Sequence, residues 1–137
     1  MRRPVSTARR GRLSYDDLVD DEQQRKLRAI VADLAREGNT AELTGFLEHG
    51  VPVDERDEAG NSLLMLAAYH GRTETVALLL ARGADPDLRN DRDQAPLAGA
   101  LFKGEDEIVR LLVDAGANPD LGTPTARQTA AMFGRTL

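Results

Sequence analysis

The sequence predicts an all-α solenoid of about three stacked helix–turn–helix units with finger loops, closed by a C-terminal half unit. The first observation is a repeat: "LLMLAAYHGRTETVALLLARGADPD", residues 63–87, returns 33 residues later as "PLAGALFKGEDEIVRLLVDAGANPD", residues 96–120. At that offset Leu64 meets Leu97, Gly71 meets Gly104, Val76 meets Val109, Leu79 meets Leu112, Gly83 meets Gly116 and Pro86 meets Pro119. The second is an older copy upstream, in which Val31 meets Leu64, Gly38 meets Gly71, Leu43 meets Val76, Leu47 meets Leu80 and Asp54 meets Asp87. The third is size: 137 residues and no cysteine give room for one core, with no disulfide or thiolate metal site to hold it. A fixed period of roughly 20–50 residues marks units that cannot bury an apolar face alone and stack on their neighbours to do so.

The elements follow in chain order. Residues 1–20 form a basic arm and an acidic lead-in, and the arm over 1–12 has too little to bury to fold. Ser14 followed by Asp17 resembles a capping box and predicts an extra turn over 15–19. The repeat domain is expected over 21–137, with units at 24–56, 57–89, 90–122 and a partial unit at 123–137. Leu27, Ile30, Val31 and Leu34 give one apolar helix stripe in a charged stretch, as a capping unit with a polar outer face requires. Thr40, Thr73 and Asp106 each lie two residues after a glycine and are read as N-caps of second helices. Val76, Leu79 and Leu80, then Val109, Leu112 and Val113, recur at helical spacing and are read as core. Gly50, Gly83 and Gly116 fall where those helices stop, in a left-handed conformation that costs another residue about 1 kcal/mol.

"GVPVDERDEAGNSLLMLAAYHG", residues 50–71, resembles the ankyrin repeat, whose consensus runs G-A-D-x-N, then D-x-x-G-x-T-P-L-H-x-A-A-x-x-G, then a leucine-rich helix. Gly60, Ser62, Leu64, Ala67, Ala68, Gly71, Val76, Leu78, Leu79, Leu80, Gly83 and Ala84 fill consensus positions without a gap. The resemblance spans about residues 24–134 and is to small bacterial members of the family. Departures mark the later units. Met65 and Ala98 replace the consensus histidine, Asp93 the hairpin glycine and Ala95 the capping threonine, while Pro96 keeps the first-turn proline. Thr123 and Pro124 restore the T-P pair, but Gly104 to Gly134 spans 30 residues, so the last finger loop is expected to be short. A half unit at the end is expected to leave Ile108, Leu112, Met132 and Phe133 less covered than elsewhere.

Little catalytic chemistry can be assembled. His49 and His70 are the only histidines, and a metal site needs further ligands. His49 reads as a helix C-terminal residue, where a cation meets the negative end of the dipole. "DPDLRNDRD", residues 85–93, places Arg89, Asn90 and Pro96 where a calcium loop needs an oxygen ligand, a glycine and a glutamate. The acids Asp16, Asp17, Asp20, Asp21 and Glu22 form a solvated run with nothing apolar beside them to raise a pKa. No nucleophile elbow or phosphate-binding glycine loop is present. The expectation is a protein that is not an enzyme and uses no cofactor, metal or small-molecule substrate. No export signal or membrane span is legible, and a cytoplasmic location is expected. Sixteen of the 18 basic residues are arginine, which fits a GC-rich genome.

Charge is uneven: residues 1–12 carry five arginines, and the remainder holds 13 basic and 23 acidic side chains, a net of −10. Such a body repels phosphate backbones, which disfavours nucleic acid, and steers toward a protein partner with a basic patch. The ankyrin resemblance implies that a folded partner binds the concave side, on finger-loop tips and first-helix ends. Those positions are Arg36 and Glu37, Tyr69 and His70, Phe102 and Lys103, Met132 and Phe133, with Arg56, Glu58, Asn61, Arg89, Asp91 and Gln94 on the loops. Tyr69, Phe102 and Phe133 recur in successive units although the chain has five aromatic residues in all. Because aromatic residues, Met and Arg are enriched at interface cores, the candidate site is Tyr69, His70, Phe102, Lys103 and Phe133 flanked by Arg56 and Arg89. Two alternatives stay open: a homodimer formed through the C-terminal half unit, and binding of nucleic acid or an acidic partner by the arginine arm.

Overall fold

The computed structural model describes residues 20–137. The arginine arm and the Ser14 capping box lie outside the described residues. Seven helices follow in order among them: α1 (Asp21–Glu37), α2 (Thr40–Glu48), α3 (Leu63–Tyr69), α4 (Thr73–Ala81), α5 (Pro96–Phe102), α6 (Asp106–Asp114) and α7 (Ala126–Met132). Each odd-numbered helix stacks on the next odd one, α1 on α3, α3 on α5 and α5 on α7, while α2, α4 and α6 form a second row behind them. One continuous core runs between the rows. Leu43, Leu63, Leu64, Leu79, Leu97, Ile108 and Leu112 are fully buried in it. Among the described residues the only strand-like pairing is an antiparallel bridge from Arg56 to Ser62, at the base of the first finger loop. No described helix is long and apolar enough to cross a membrane.

Local signals account for most helix ends. α1 starts at Asp20, whose carboxylate accepts from Gln23 N at 2.8 Å while Gln23 reaches back to Asp20 N at 3.1 Å, a reciprocal capping box. Its apolar stripe is narrower than the sequence suggests: Val31 and Leu34 are buried, Leu27 is half-buried and Ile30 is exposed. Gly50, Gly83 and Gly116 all take positive φ just past the second helices, as the sequence requires. Thr40, Thr73 and Asp106 are corrected: each is the first helical residue, and the caps are Asn39, Arg72 and Glu105. The left-handed turn at Gly38, Gly71 and Gly104 hands over to one flanking residue, which is the cap. Of the three only Asn39 accepts a hydrogen bond with its side chain, from Glu42 N at 3.3 Å. Thr40 instead joins units, its hydroxyl 2.7 Å from that of the buried Thr75.

The last unit departs in the expected place and by a different route. The finger loop between α6 and α7 is three residues shorter than the two before it. Its T-P pair does not open the helix. The Thr123-Pro124 bond is cis, and α7 follows Thr125, which forms a capping box with Gln128. Thr123 is bound back to Asp93, donating from its N–H to the Asp93 carbonyl at 2.8 Å and from its hydroxyl to the carboxylate at 2.7 Å. Ile108 and Leu112 are fully covered, against expectation, whereas Met132 and Phe133 are exposed. Val113 is also exposed, contrary to its reading as core.

Candidate functional site

The concave side is a groove of about 760 Å³, walled by the exposed ends of α3, α5 and α7 and by the finger loops. Its lining is mixed: Leu66, Tyr69, Ala98, Gly99, Phe102, Thr129 and Met132 on the helices, and Asp57, Asn61, Asn90, Arg92 and Gln94 on the loops. Helical phase explains the first set. In α3, α5 and α7 the buried residues all precede the last one, and the residue that ends each helix is left facing out. Tyr69, Phe102 and Met132 are those last residues, and they are 37%, 56% and 65% exposed.

The structure brings five of the seven sequence-chosen residues together. The Tyr69 and His70 rings meet edge to face with centroids 5.5 Å apart. Phe102 and Phe133 meet in the same way at 6.2 Å. Lys103, next to Phe102 in the chain, reaches the first pair, its Nζ 5.0 Å from the Tyr69 ring centroid. Arg56 and Arg89 do not flank this strip. They line a separate small hollow with Asp87, Asn90 and Asp93, and Arg89 is tied to Asp93 at 2.9 Å.

The loop tips are held from unit to unit rather than left free. Asn90 Nδ2 donates to Asn61 Oδ1 at 2.8 Å and to Gln94 Oε1 at 2.8 Å, and Asp91 N donates to Ala59 O at 3.0 Å. Asp57 accepts from Ala59 N and Asn61 N, and its second oxygen takes Asn61 Nδ2 and stands 3.9 Å from Arg36. The groove walls are thus fixed by the chain's own hydrogen bonds.

Electrostatics in the groove differ from those of the body. Burial first, then the positive charges of Arg36, Arg72 and Lys103, hold the His70 imidazole below its ordinary value of 6.5. The neutral ring is thereby favoured beside three cations. Arg72 reaches this place by donating from Nε to Arg36 O at 2.8 Å, a bond that also ties the second unit to the first. Among the described residues no carboxylate lies within ion-pair distance of Arg72, Arg92 or Lys103, although seven other basic residues have one. No group of three or more metal-ligating side chains occurs among the described residues.

Several residues of this site escape the sequence reading, Gly99, Arg92 and Arg72 among them. Gly99 and Arg92 line the groove, and Arg72 sets the charge around His70. At the 33-residue offset Arg72 stands opposite Glu105 and Arg92 opposite Ala59, so neither arginine repeats in the neighbouring unit. Gly99 stands opposite Leu66 and shows there only as a missing side chain.

A family model described as ankyrin repeats, in three copies, matches residues 31–135. A protein of Pseudomonas aeruginosa named as a putative ankyrin repeat protein is 53% identical over 38 residues, which is 28% of this chain and 22% of that relative.

Proposed function

The chain belongs to the ankyrin-repeat family, and from that premise we propose that it is a non-enzymatic protein–protein interaction module, an adaptor or regulator, that holds a folded partner in its concave groove. Ankyrin repeats generally mediate protein–protein interaction, and the family is generally non-enzymatic. The matched segment covers 22% of the curated relative, so the reading rests on this chain's own surface. One observation carries it: Tyr69, Phe102 and Met132 are large apolar side chains left exposed along one groove whose walls are fixed by internal hydrogen bonds, and the exposed Phe133 packs against Phe102. Exposed apolar patches rimmed by polar groups mark interaction surfaces, and a few aromatic residues carry most of the energy in them.

The test is quantitative binding of a partner first isolated with the unaltered chain. Tyr69→Ala and Phe102→Ala are each expected to weaken it by about 2 kcal/mol or more, with helicity unchanged by circular dichroism. Equal affinity for the unaltered chain and both variants sinks the groove as the working surface.

A further inference from the structure

The first two finger-loop tips are joined directly, Asn90 to Asn61 through their side-chain amides and Asp91 N to Ala59 O. The last loop is three residues shorter and does not extend that pattern. Among the described residues its base is hydrogen-bonded to the second loop through Asn118 N and Asp87, and its tip through Asp93 alone. Thr123 makes both tip bonds, from its N–H to the Asp93 carbonyl at 2.8 Å and from its hydroxyl to Oδ2 at 2.7 Å. Gly122 runs so close beside them that a Cβ there would stand 3.2 Å from Asp93 O and 3.3 Å from Ala95 N. Thr123 and Pro124 line the groove, and the helix that follows supplies Thr129 and Met132 to the same wall. One residue thus meets the last wall where the pattern of the earlier loops stops holding it.

Asp93 stands where the repeat consensus has glycine, and its φ is 56°, the only positive φ of a non-glycine residue among those described. Asp tolerates this region better than most residues but less well than glycine, so a carboxylate here is kept at a conformational cost. The turn does not need it. Asn90 shapes the turn, accepting from Asp93 N at its carbonyl and from Arg92 N and Gln94 N at its side chain. What the carboxylate adds is the tie to the next loop. Arg89 Nη1 donates to Oδ1 at 2.9 Å and so holds the carboxylate from one side, leaving Oδ2 to Thr123. Strained residues persist where the surroundings hold them, and they gather at functional sites.

We propose that Asp93 is the positioning residue for the last wall of the groove: steadied by Arg89, it holds Thr123 and Pro124 at the spacing that a bound segment of the partner requires. The inference rests on the groove reading above and deepens it by naming the residue that sets the width. Glycine at this position keeps the turn and loses the hold.

The experiment uses the full chain and a peptide selected against it from a displayed random library, chosen because Tyr69→Ala and Phe102→Ala both weaken it. Asp93→Gly and Thr123→Val remove the two partners of the side-chain bond in turn. Each is expected to raise amide exchange at position 123 and over 126–132 by about tenfold, the scale of one lost hydrogen bond to a charged group, while 63–69 stays protected. Each should weaken the peptide by about fivefold or more at unchanged helicity, and the double variant should add little, because all three break the same bond. Asp93→Asn, which fits the left-handed turn and can still bond the hydroxyl, should recover most of the affinity. Unchanged exchange in Asp93→Gly, or additive losses in the double variant, overturns the inference. So does raised exchange with the peptide bound as tightly as before, which makes Asp93 a support of the last unit only and leaves the groove reading standing. A library that yields no peptide sensitive to Tyr69→Ala and Phe102→Ala overturns the groove reading and this inference with it.

Discussion

His70 shows how a single residue records its surroundings. The folded chain favours the neutral ring, through burial first and then through Arg36, Arg72 and Lys103, so the unfolded chain takes up the proton at a higher pH. The sign follows: this group's contribution to stability is full above 6.5 and declines as pH falls from there through the lowered folded value. A proton NMR titration should place the His70 midpoint below 6.5, and Lys103→Gln should move it upward by removing a like charge. A midpoint at or above 6.5 in the unaltered chain contradicts the cationic field on which the groove electrostatics depend. The ankyrin resemblance put His70 at a first-helix end and the structure has it lining the groove, but its cationic surroundings draw on side chains from three units. Gly99 was not legible for a different reason. An offset comparison rewards matching side chains, and the missing one opposite Leu66 leaves no mark.

At the scale of the element, the sequence located every described second helix but placed its cap one residue late. The error has a physical source: Thr and Asp are at home both at the cap and in the first turn, and only the backbone after the left-handed glycine decides between them. Ala95 is the opposite case, where the sequence identified a missing cap and the structure shows its consequence. It holds the extended cap conformation, φ −99° and ψ 149°, without a side-chain hydrogen bond. The equivalent Ser62 is 2% exposed and accepts from Met65 N at 3.0 Å, so this fold can house a hydroxyl there. Ala95→Ser is therefore expected to stabilise the chain by about 1 kcal/mol, read as a higher urea midpoint at unchanged slope. A lower midpoint means that the buried hydroxyl finds no partner at this position, at a cost of about 1–3 kcal/mol.

The whole molecule is a line of units in which each helix pair touches its neighbours, and that connectivity decides how it fails. α5 lies between α3 and α7, whereas α7 rests chiefly on α5. Asp54 accepting from Asp85 N at 3.0 Å, and Asp87 from Asn118 N at 2.7 Å, repeat the same tie between successive loops. Removing packing at the centre should weaken every unit, and removing it at the end should release the end first. Leu97 is 1% exposed, and Leu97→Ala is expected to cost about 2–5 kcal/mol, with amide exchange rising together in α3 to α7. Ala130 is also 1% exposed, and Ala130→Gly in the interior of α7 should raise exchange within 126–132 while α1 and α3 stay protected. Exchange that rises only around α5 after Leu97→Ala would mean that the units fold independently. In that case the groove, whose walls come from three of them, would need a partner to set its spacing.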